Sequence, residues 1–365
     1  MNAPRALLCT LGPSSLNERV IAQLEEAGTA LFRINMSHTE VDDLERILQF
    51  TRQHTKVPIS IDTEGARLRT GLMSDRVTVF EGGHVRLVPE AFWGDAFTIP
   101  ITPGEAVGRL EVGAMVSIDF DSAILRVDEV REGIAEATVL TGGEIGTRKA
   151  VTAYPSPTLP TFSGKDRLAT RIALENGVRE FALSFCEDPE SVAELRTMIG
   201  SECTVVAKIE SREGARNLER ILGVADKILI DRGDLSREVR MEGIPSLQKA
   251  VIRAANARGV PVYVATNLLE SMVTRKVPSR AEVNDVINTL LDGADGLVLS
   301  AETAVGSYPV EAARMIAALI EEFGRSRDHR AIDDLLGEHP LAPYRESDRA
   351  GDKAASRTRR GSLAG

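Results

Sequence analysis

The sequence predicts a (β/α)8 barrel carrying a small β domain inserted after its third strand. Three observations predict it: eight short aliphatic, β-branched runs, helical patterns of about 10 to 15 residues between most of them, and a single stretch where that alternation stops. Successive βα units build a parallel sheet, and eight of them favour closure over an open sheet. The 365 residues leave room for a barrel of about 250 residues plus an insert. With 43% hydrophobic but only 4% aromatic residues, the core must be aliphatic.

The eight runs are Ala6 to Thr10, Ala30 to Met36, Val57 to Thr63, Glu180 to Phe185, Thr204 to Glu210, Lys227 to Asp234, Pro261 to Thr266 and Gly296 to Glu302. Between about Gly71 and Arg148 the helical patterns vanish. Runs such as Val77 to Phe80, His84 to Val88, Val116 to Ile118 and Ala135 to Leu140 alternate there with Gly- and Pro-containing turns. The expected division is 1–71 for the first part of the barrel, 72–148 for a β-barrel-like insert, and 149–325 for the remaining barrel. The last helix is expected over Pro309 to Phe323, followed by a disordered, charged tail at 326–365.

A formal charge of −10 argues against an unspecific nucleic-acid or anionic-membrane surface, since both need clustered Lys and Arg. Cys9, Cys186 and Cys203 lie in or beside apolar runs, none at metal-motif spacing, which points to a reducing, cytoplasmic setting. The first ten residues lack a charged-then-apolar signal pattern, and no apolar run reaches the roughly 18 residues of a membrane span.

Residues at the C-terminal ends of barrel strands converge on one mouth, so polar groups there read as catalytic. Strand two closes with Arg33, Asn35 and Ser37. Strand three closes with Asp62 and Thr63, followed by Arg67 and Arg69. Strand five ends in Lys208 and Glu210, strand six in Asp234, strand seven in Thr266, and strand eight in Ser300 and Glu302. Alternation with period two puts Lys208 and Glu210 on one face, both towards the mouth. A lone Lys-Ile-Glu would read as a structural ion pair, but so many polar strand ends point to a site.

Glu210 and Asp234 are hard oxygen ligands from neighbouring strands, suited to a Mg²⁺ or Mn²⁺ that takes its remaining ligands from water and substrate. Gly233 stands where strand turns towards helix, so free N–H groups there are candidates for a carboxylate. Arg33 and Arg69 offer forked donors to a phosphoryl group, and Lys208 a point charge where negative charge shifts during transfer. Arg240 and Arg275 read as solvated surface charges, and Gln248 and Lys249 as outer-ring helix positions.

These residues stand in segments that resemble the pyruvate kinase family. The segments are Thr10-Leu-Gly-Pro-Ser-Ser15, Arg33-Ile-Asn-Met-Ser-His38, Asp62-Thr-Glu-Gly-Ala-Arg-Leu-Arg-Thr-Gly71, Lys208-Ile-Glu210, Arg232-Gly-Asp-Leu235, Ala265-Thr-Asn-Leu-Leu-Glu-Ser-Met272, Ser279-Arg-Ala-Glu282 and Leu299-Ser-Ala-Glu-Thr303. The resemblance runs from about residue 6 to 323, and the insert falls where that family carries its lid. It implies phosphoryl transfer from phosphoenolpyruvate to ADP, giving pyruvate and ATP. It further implies that Glu210 and Asp234 hold the divalent metal, Lys208 stabilises the transferring phosphoryl, and Arg33 and Arg69 grip the phosphate. Thr266 and the backbone at Gly233 and Asp234 would hold the acid's carboxylate, with Ser300 and Glu302 also on the substrate side. Asn35, Ser37, Asp62 and Thr63 match the family's monovalent-cation shell, and His38 and Lys149 fall on the nucleotide side.

Several positions depart from the family's pattern. Arg67 replaces the acid of potassium-dependent members, so K⁺-independent activity is expected, with the guanidinium in place of the ion. Glu64 stands where a lysine is usual, which moves the local charge by about two units against a polyphosphate. Thr39, Asp119-Phe120-Asp121, Lys149-Ala-Val-Thr-Ala-Tyr-Pro155, Glu187, Asp231 and Ser236 also differ, and these changes are expected to lie away from the acid and metal. A counterpart of the family's regulatory α/β domain is not expected, nor is sugar-phosphate allostery, whereas a homodimer through barrel helices is.

Two other readings compete. In one, the same metal–enolate pocket serves another phosphoryl acceptor or C–C lyase or aldolase chemistry on a 2-oxo acid. In the other, the chain is a non-catalytic ligand sensor. Retention of Lys208 favours phosphoryl chemistry, whereas Glu64 and the remodelled lid favour a changed acceptor.

Overall fold

The computed structural model describes residues 5–326 apart from 66, 91 and 120. The expected tail from residue 327 onward lies outside the described residues. The chain divides into one compact unit reaching Ile320 and a second from Glu321, of which only the end of the helix Pro309–Ser326 is described.

Eight parallel strands close the barrel: β1 (Ala6–Leu11), β2 (Thr29–Asn35), β3 (Ile59–Asp62), β4 (Glu180–Leu183), β5 (Thr204–Ile209), β6 (Lys227–Asp231), β7 (Val262–Ala265) and β8 (Gly296–Leu299). Each pairs with its sequence neighbour, and β8 closes on β1 with Ala6 opposite Gly296 and Cys9 opposite Leu299. A side chain at Gly296 would strike the Tyr263 ring, its Cβ only 2.7 Å away, so glycine is what lets β7 and β8 pack there.

Connecting helices start where capping chemistry places them. Asn17 caps Glu18–Glu26, and Asp188 with Pro189 at the first turn opens Pro189–Ile199. Ser163 with Asp166, and Ser279 with Glu282, form capping boxes on Gly164–Glu175 and Arg280–Leu291.

Period-two alternation divides the barrel lumen into two layers. Leu8, Leu31, Ala182, Val206, Leu229, Tyr263 and Val298 fill the lower layer as a single apolar plug. Two residues further along the same strands come Thr10, Arg33, Lys208 and Asp231, all buried, so the lumen turns polar just below the mouth.

Strands β6 and β8 stop earlier than the sequence implies. After Asp231 the chain turns into the short helix Arg232–Leu235, because the Asp231 side chain accepts the Gly233 N–H and caps it. After Leu299 the Ser300 N–H is taken by Glu302 Oε2 at 2.9 Å, and Ala301–Ala304 is helical.

The insert is a seven-stranded sheet ordered Val151–Tyr154, Met115–Ile118, Ala123–Arg131, Ile134–Thr141, His84–Pro89, Thr98–Thr102, Arg69–Thr70, with a small two-stranded sheet of Val77–Val79 and Gly143–Ile145. It has its own core, including Leu87, Ile99, Val116, Leu125 and Ala135. The chain enters and leaves it along a ribbon in which Thr70 N donates to Lys149 O, Arg148 N to Thr70 O, and Val151 N to Leu68 O, at 2.8 to 3.1 Å. No helix among the described residues is long and apolar enough to cross a membrane.

Candidate active site

The mouth is centred on Lys208. Its ammonium reaches Glu210 Oε1 at 2.8 Å, Asp62 at 3.1 Å and Ser184 Oγ at 3.1 Å, with Asp231 Oδ2 at 3.9 Å. Burial works against the charge on Lys208, but Asp62, Glu210 and Asp231 outweigh it and raise the ammonium pKa, so Lys208 is a fixed cation.

Arg33 is buried beside it with every arm engaged. Nη1 donates to Asp62 Oδ2 at 2.9 Å, Nε to Thr10 Oγ1 at 2.9 Å, and Nη2 to Ser300 Oγ at 3.1 Å. Asp62 therefore sits fully buried between two cations and also accepts from Ser184 Oγ at 3.2 Å. Thr63 accepts the Ser184 N–H, and Asn35 accepts the Ser37 N–H at 2.9 Å, at the start of the 3₁₀ turn Met36–His38. His38 stands at that turn's end, on the rim.

Glu210, Asp231 and Asp234 offer oxygen atoms within 4.8 Å of one another. Glu210 Oε2 accepts from Phe185 N at 2.7 Å, while Oε1 has no hydrogen-bond partner and meets only the Lys208 ammonium among the described residues. Burial pushes the Glu210 carboxyl upward against the pull of Lys208, and burial together with Asp231 raises Asp234. A buried group of hard oxygens whose ionised forms are under-compensated is what a divalent cation stabilises, so these residues fit one.

Asp231 is a correction to the sequence reading, which put position 231 among the changes away from the metal. The alternation Leu229, Asp231 along β6 was the signal for it, because that face carries the plug residue and then the mouth residue. The Gly233 N–H, expected to be free, is engaged by Asp231 Oδ1 at 3.1 Å and Thr266 Oγ1 at 3.4 Å. The Thr266 hydroxyl donates to Asp231 Oδ1, and Arg232 donates to the Thr266 carbonyl through Nε at 3.0 Å and Nη2 at 2.7 Å. These clamps hold Thr266 at φ +71°, a strained conformation for a β-branched residue.

Glu302 is buried, and its carboxylate binds two backbone amides, Leu269 N at 3.1 Å and Ser300 N at 2.9 Å. It braces the ends of β7 and β8, whereas Ser300 reaches Arg33.

Arg67 does not take up the position expected of it. Its partners are Glu187 at 3.2 Å and Glu238 at 3.5 Å, with the guanidinium stacked on Phe185 at 3.8 Å, rather than the shell of Asn35, Ser37, Asp62 and Thr63. Two acids from the loops after β4 and β6 outcompete one shared carboxylate already held by Arg33 and Lys208. Glu64 pairs with Lys165 at 3.0 Å and lies 3.9 Å from Arg69, so this departure falls beside one of the two arginines that the sequence offers to a phosphoryl group. Glu64, Arg67, Arg69, Glu90, Glu105 and Lys165 line a cleft of about 380 Å³ between mouth and insert. Lys149 pairs with Asp119 at 2.8 Å.

The sequence reading missed Thr10, Ser184, Asp231 and Lys165. Thr10, Ser184 and Asp231 follow plug residues by two positions, which makes them findable. Lys165 follows the insert, and its approach to Glu64 has no local signature.

A closed parallel barrel whose polar mouth gathers a fixed lysine, a buried arginine and a carboxylate group beside an inserted β domain defines a barrel enzyme of the phosphotransferase class. The chain belongs to the pyruvate kinase family: that family's barrel domain, described as "Pyruvate kinase, barrel domain", matches residues 4–313. The pyruvate kinase of Thermococcus litoralis is 34% identical over 347 residues, covering 90% of this chain and 73% of that one. The pyruvate kinase of Methylorubrum extorquens is 37% identical over 327 residues, covering 87% and 68%. A crystal structure of a pyruvate kinase from Cryptosporidium parvum superposes with a TM-score of 0.80 at 29% identity, over 93% of this chain and 73% of that one. Neither C–C lyase chemistry nor ligand sensing finds support in these similarities.

Proposed function

We propose that the chain transfers the phosphoryl group of phosphoenolpyruvate to ADP, giving pyruvate and ATP. The observation that carries this reading is the buried Lys208 ammonium, held between Asp62, Ser184 and Glu210 beside Arg33 at the mouth. Phosphoryl transfer needs fixed positive charge where charge spreads over the equatorial oxygens, and a preorganised cation supplies it without reorganisation.

Glu210 and Asp234 hold Mg²⁺ or Mn²⁺ in this reading. That cation supplies Lewis-acid polarisation of the phosphoryl and enolate oxygens. Lys208 steadies the transferring group, Arg33 and Arg69 orient the phosphate, and Thr266 stands beside the acid's methylene side. His38 and Lys149 belong to the nucleotide side, and the cleft beneath the insert gives ADP its entry. The insert, expected over residues 72–148 and with a sheet that also takes in Arg69–Thr70 and Val151–Tyr154, acts as a lid that excludes water in this reading. A cytoplasmic homodimer associating through barrel helices completes the proposal.

K⁺ is not required in this reading. A monovalent ion at Asn35, Ser37, Asp62 and Thr63 would compete with Arg33 and Lys208 for Asp62.

The test is turnover of phosphoenolpyruvate with Mg²⁺ and ADP, read as pyruvate. ADP-dependent pyruvate formation is expected, falling at least about 100-fold in Lys208→Ala, in keeping with the loss of one electrostatic group at a transition state. No turnover by the wild type, or an unaffected variant, overturns the reading. Replacing K⁺ by Na⁺ or tetramethylammonium is expected to leave the rate within about twofold, and strict K⁺ dependence would refute the potassium claim.

A further inference from the structure

We propose that Asp231 is a third metal-facing carboxylate of the mouth, and that it lets the pocket retain a divalent cation before any phosphoester binds. This rests on the reading that Glu210 and Asp234 hold that cation, and it adds a residue and an order of binding to it.

Asp231 ends β6 on the inward face, two positions beyond the plug residue Leu229. It is buried, and its ligand oxygen lies within 4.8 Å of those of Glu210 and Asp234, about the span of a divalent cation with oxygen ligands on either side. Its two oxygens have separate partners. Oδ1 accepts from Gly233 N at 3.1 Å and from the Thr266 hydroxyl. Oδ2 faces Lys208 at 3.9 Å, beyond hydrogen-bond length, and so remains available. The bonds to Oδ1 fix the rotamer in advance, so ordering the carboxylate costs little when a cation arrives.

Charge points the same way. Among the described residues, the ion pairs of Asp62, Glu210, Asp231 and Asp234 run to Arg33, Lys208 and Arg237, and Arg67 acts on Asp234 from farther away. Negative charge is concentrated at the three acids, where Glu210 Oε1 has no hydrogen-bond partner among the described residues. With two carboxylates, Mg²⁺ ordinarily depends on substrate oxygens to complete its hold. A third, anchored carboxylate supplies attraction that does not wait for the substrate.

The test is Mn²⁺ binding to the full-length enzyme without phosphoenolpyruvate, followed by the electron paramagnetic resonance signal of free Mn²⁺, for the wild type, Asp231→Asn, Asp231→Ala and Glu210→Gln. Asn keeps an acceptor for Gly233 and Thr266 but removes the charge. One tight Mn²⁺ is expected in the wild type, with affinity reduced about 10- to 100-fold in both Asp231 variants. If Glu210→Gln weakens binding while both Asp231 variants bind like the wild type, this proposal falls and the metal site stands. If Glu210→Gln binds like the wild type, the metal site itself is wrong. The wild type also decides without any variant: no Mn²⁺ uptake at millimolar concentration until phosphoenolpyruvate is added overturns the proposal while keeping the site.

Discussion

Asp62 shows how much a single residue bears at this mouth. It is fully buried and accepts from Arg33, Lys208 and Ser184, so it balances two cations that are themselves almost wholly buried. Removing one member of a buried charged network leaves the others uncompensated, at a cost of about 3–5 kcal/mol. Asp62→Ala is therefore expected to lower unfolding free energy by about that amount in urea titrations. A loss under about 1 kcal/mol would mean that Arg33 and Lys208 find other partners or water. At this scale the sequence was legible wherever alternation along one strand decides direction, as for Arg33, Asp62 and Lys208. Asp231 obeys the same alternation but was passed over, because the resemblance marked it as a departure and not as a ligand. The partners of Arg67 were not legible, since Glu187 and Glu238 come from two separate loops and the stack on Phe185 depends on that residue's left-handed backbone at φ +51°.

Elements meet at Asp166. This buried carboxylate completes the capping box of Gly164–Glu175 and also accepts the backbone N–H groups of Glu64 at 2.7 Å and Gly65 at 3.1 Å. One side chain thus fixes the start of the first helix after the insert and the loop that carries Glu64, Arg67 and Arg69. Its loss strands two backbone donors and a helix cap, which sums to about 2–4 kcal/mol. Asp166→Ala is expected to destabilise by that amount in urea and to raise the KM for phosphoenolpyruvate through Arg69. Destabilisation with an unchanged KM would detach the loop from substrate binding. Ser163 and Asp166 carry a local capping-box spacing that was not used in reading the sequence, and the second task of Asp166 has no local signature, because it joins segments about 100 residues apart. The early ends of β6 and β8 follow the same rule: Asp231 and Glu302 bond to nearby amides and turn the chain sooner than hydrophobicity suggests.

At the scale of the whole molecule the barrel was legible because eight similar units repeat, and closure follows from their number. The insert was legible only as a β domain, since its strand order includes a parallel pairing of His84–Pro89 with Thr98–Thr102 that no local pattern announces. Its buried residues form a hydrophobic cluster distinct from the plug of the barrel, and the two are joined by the ribbon around Leu68 to Gly71 and Arg148 to Val151. Regions with separate cores and a narrow connection open as separate cooperative units. Leu125, fully buried in the insert, tests this. Leu125→Ala removes a core side chain at a cost of about 2–5 kcal/mol. Hydrogen exchange followed by mass spectrometry should then show faster exchange for amides of Met115–Ile118, Ala123–Arg131 and Ile134–Thr141, with those of β5 and β6 unchanged. An equal loss of protection in β5 and β6 would show that insert and barrel open as one unit, and a lid moving independently over the mouth would have no basis in the energetics of this chain.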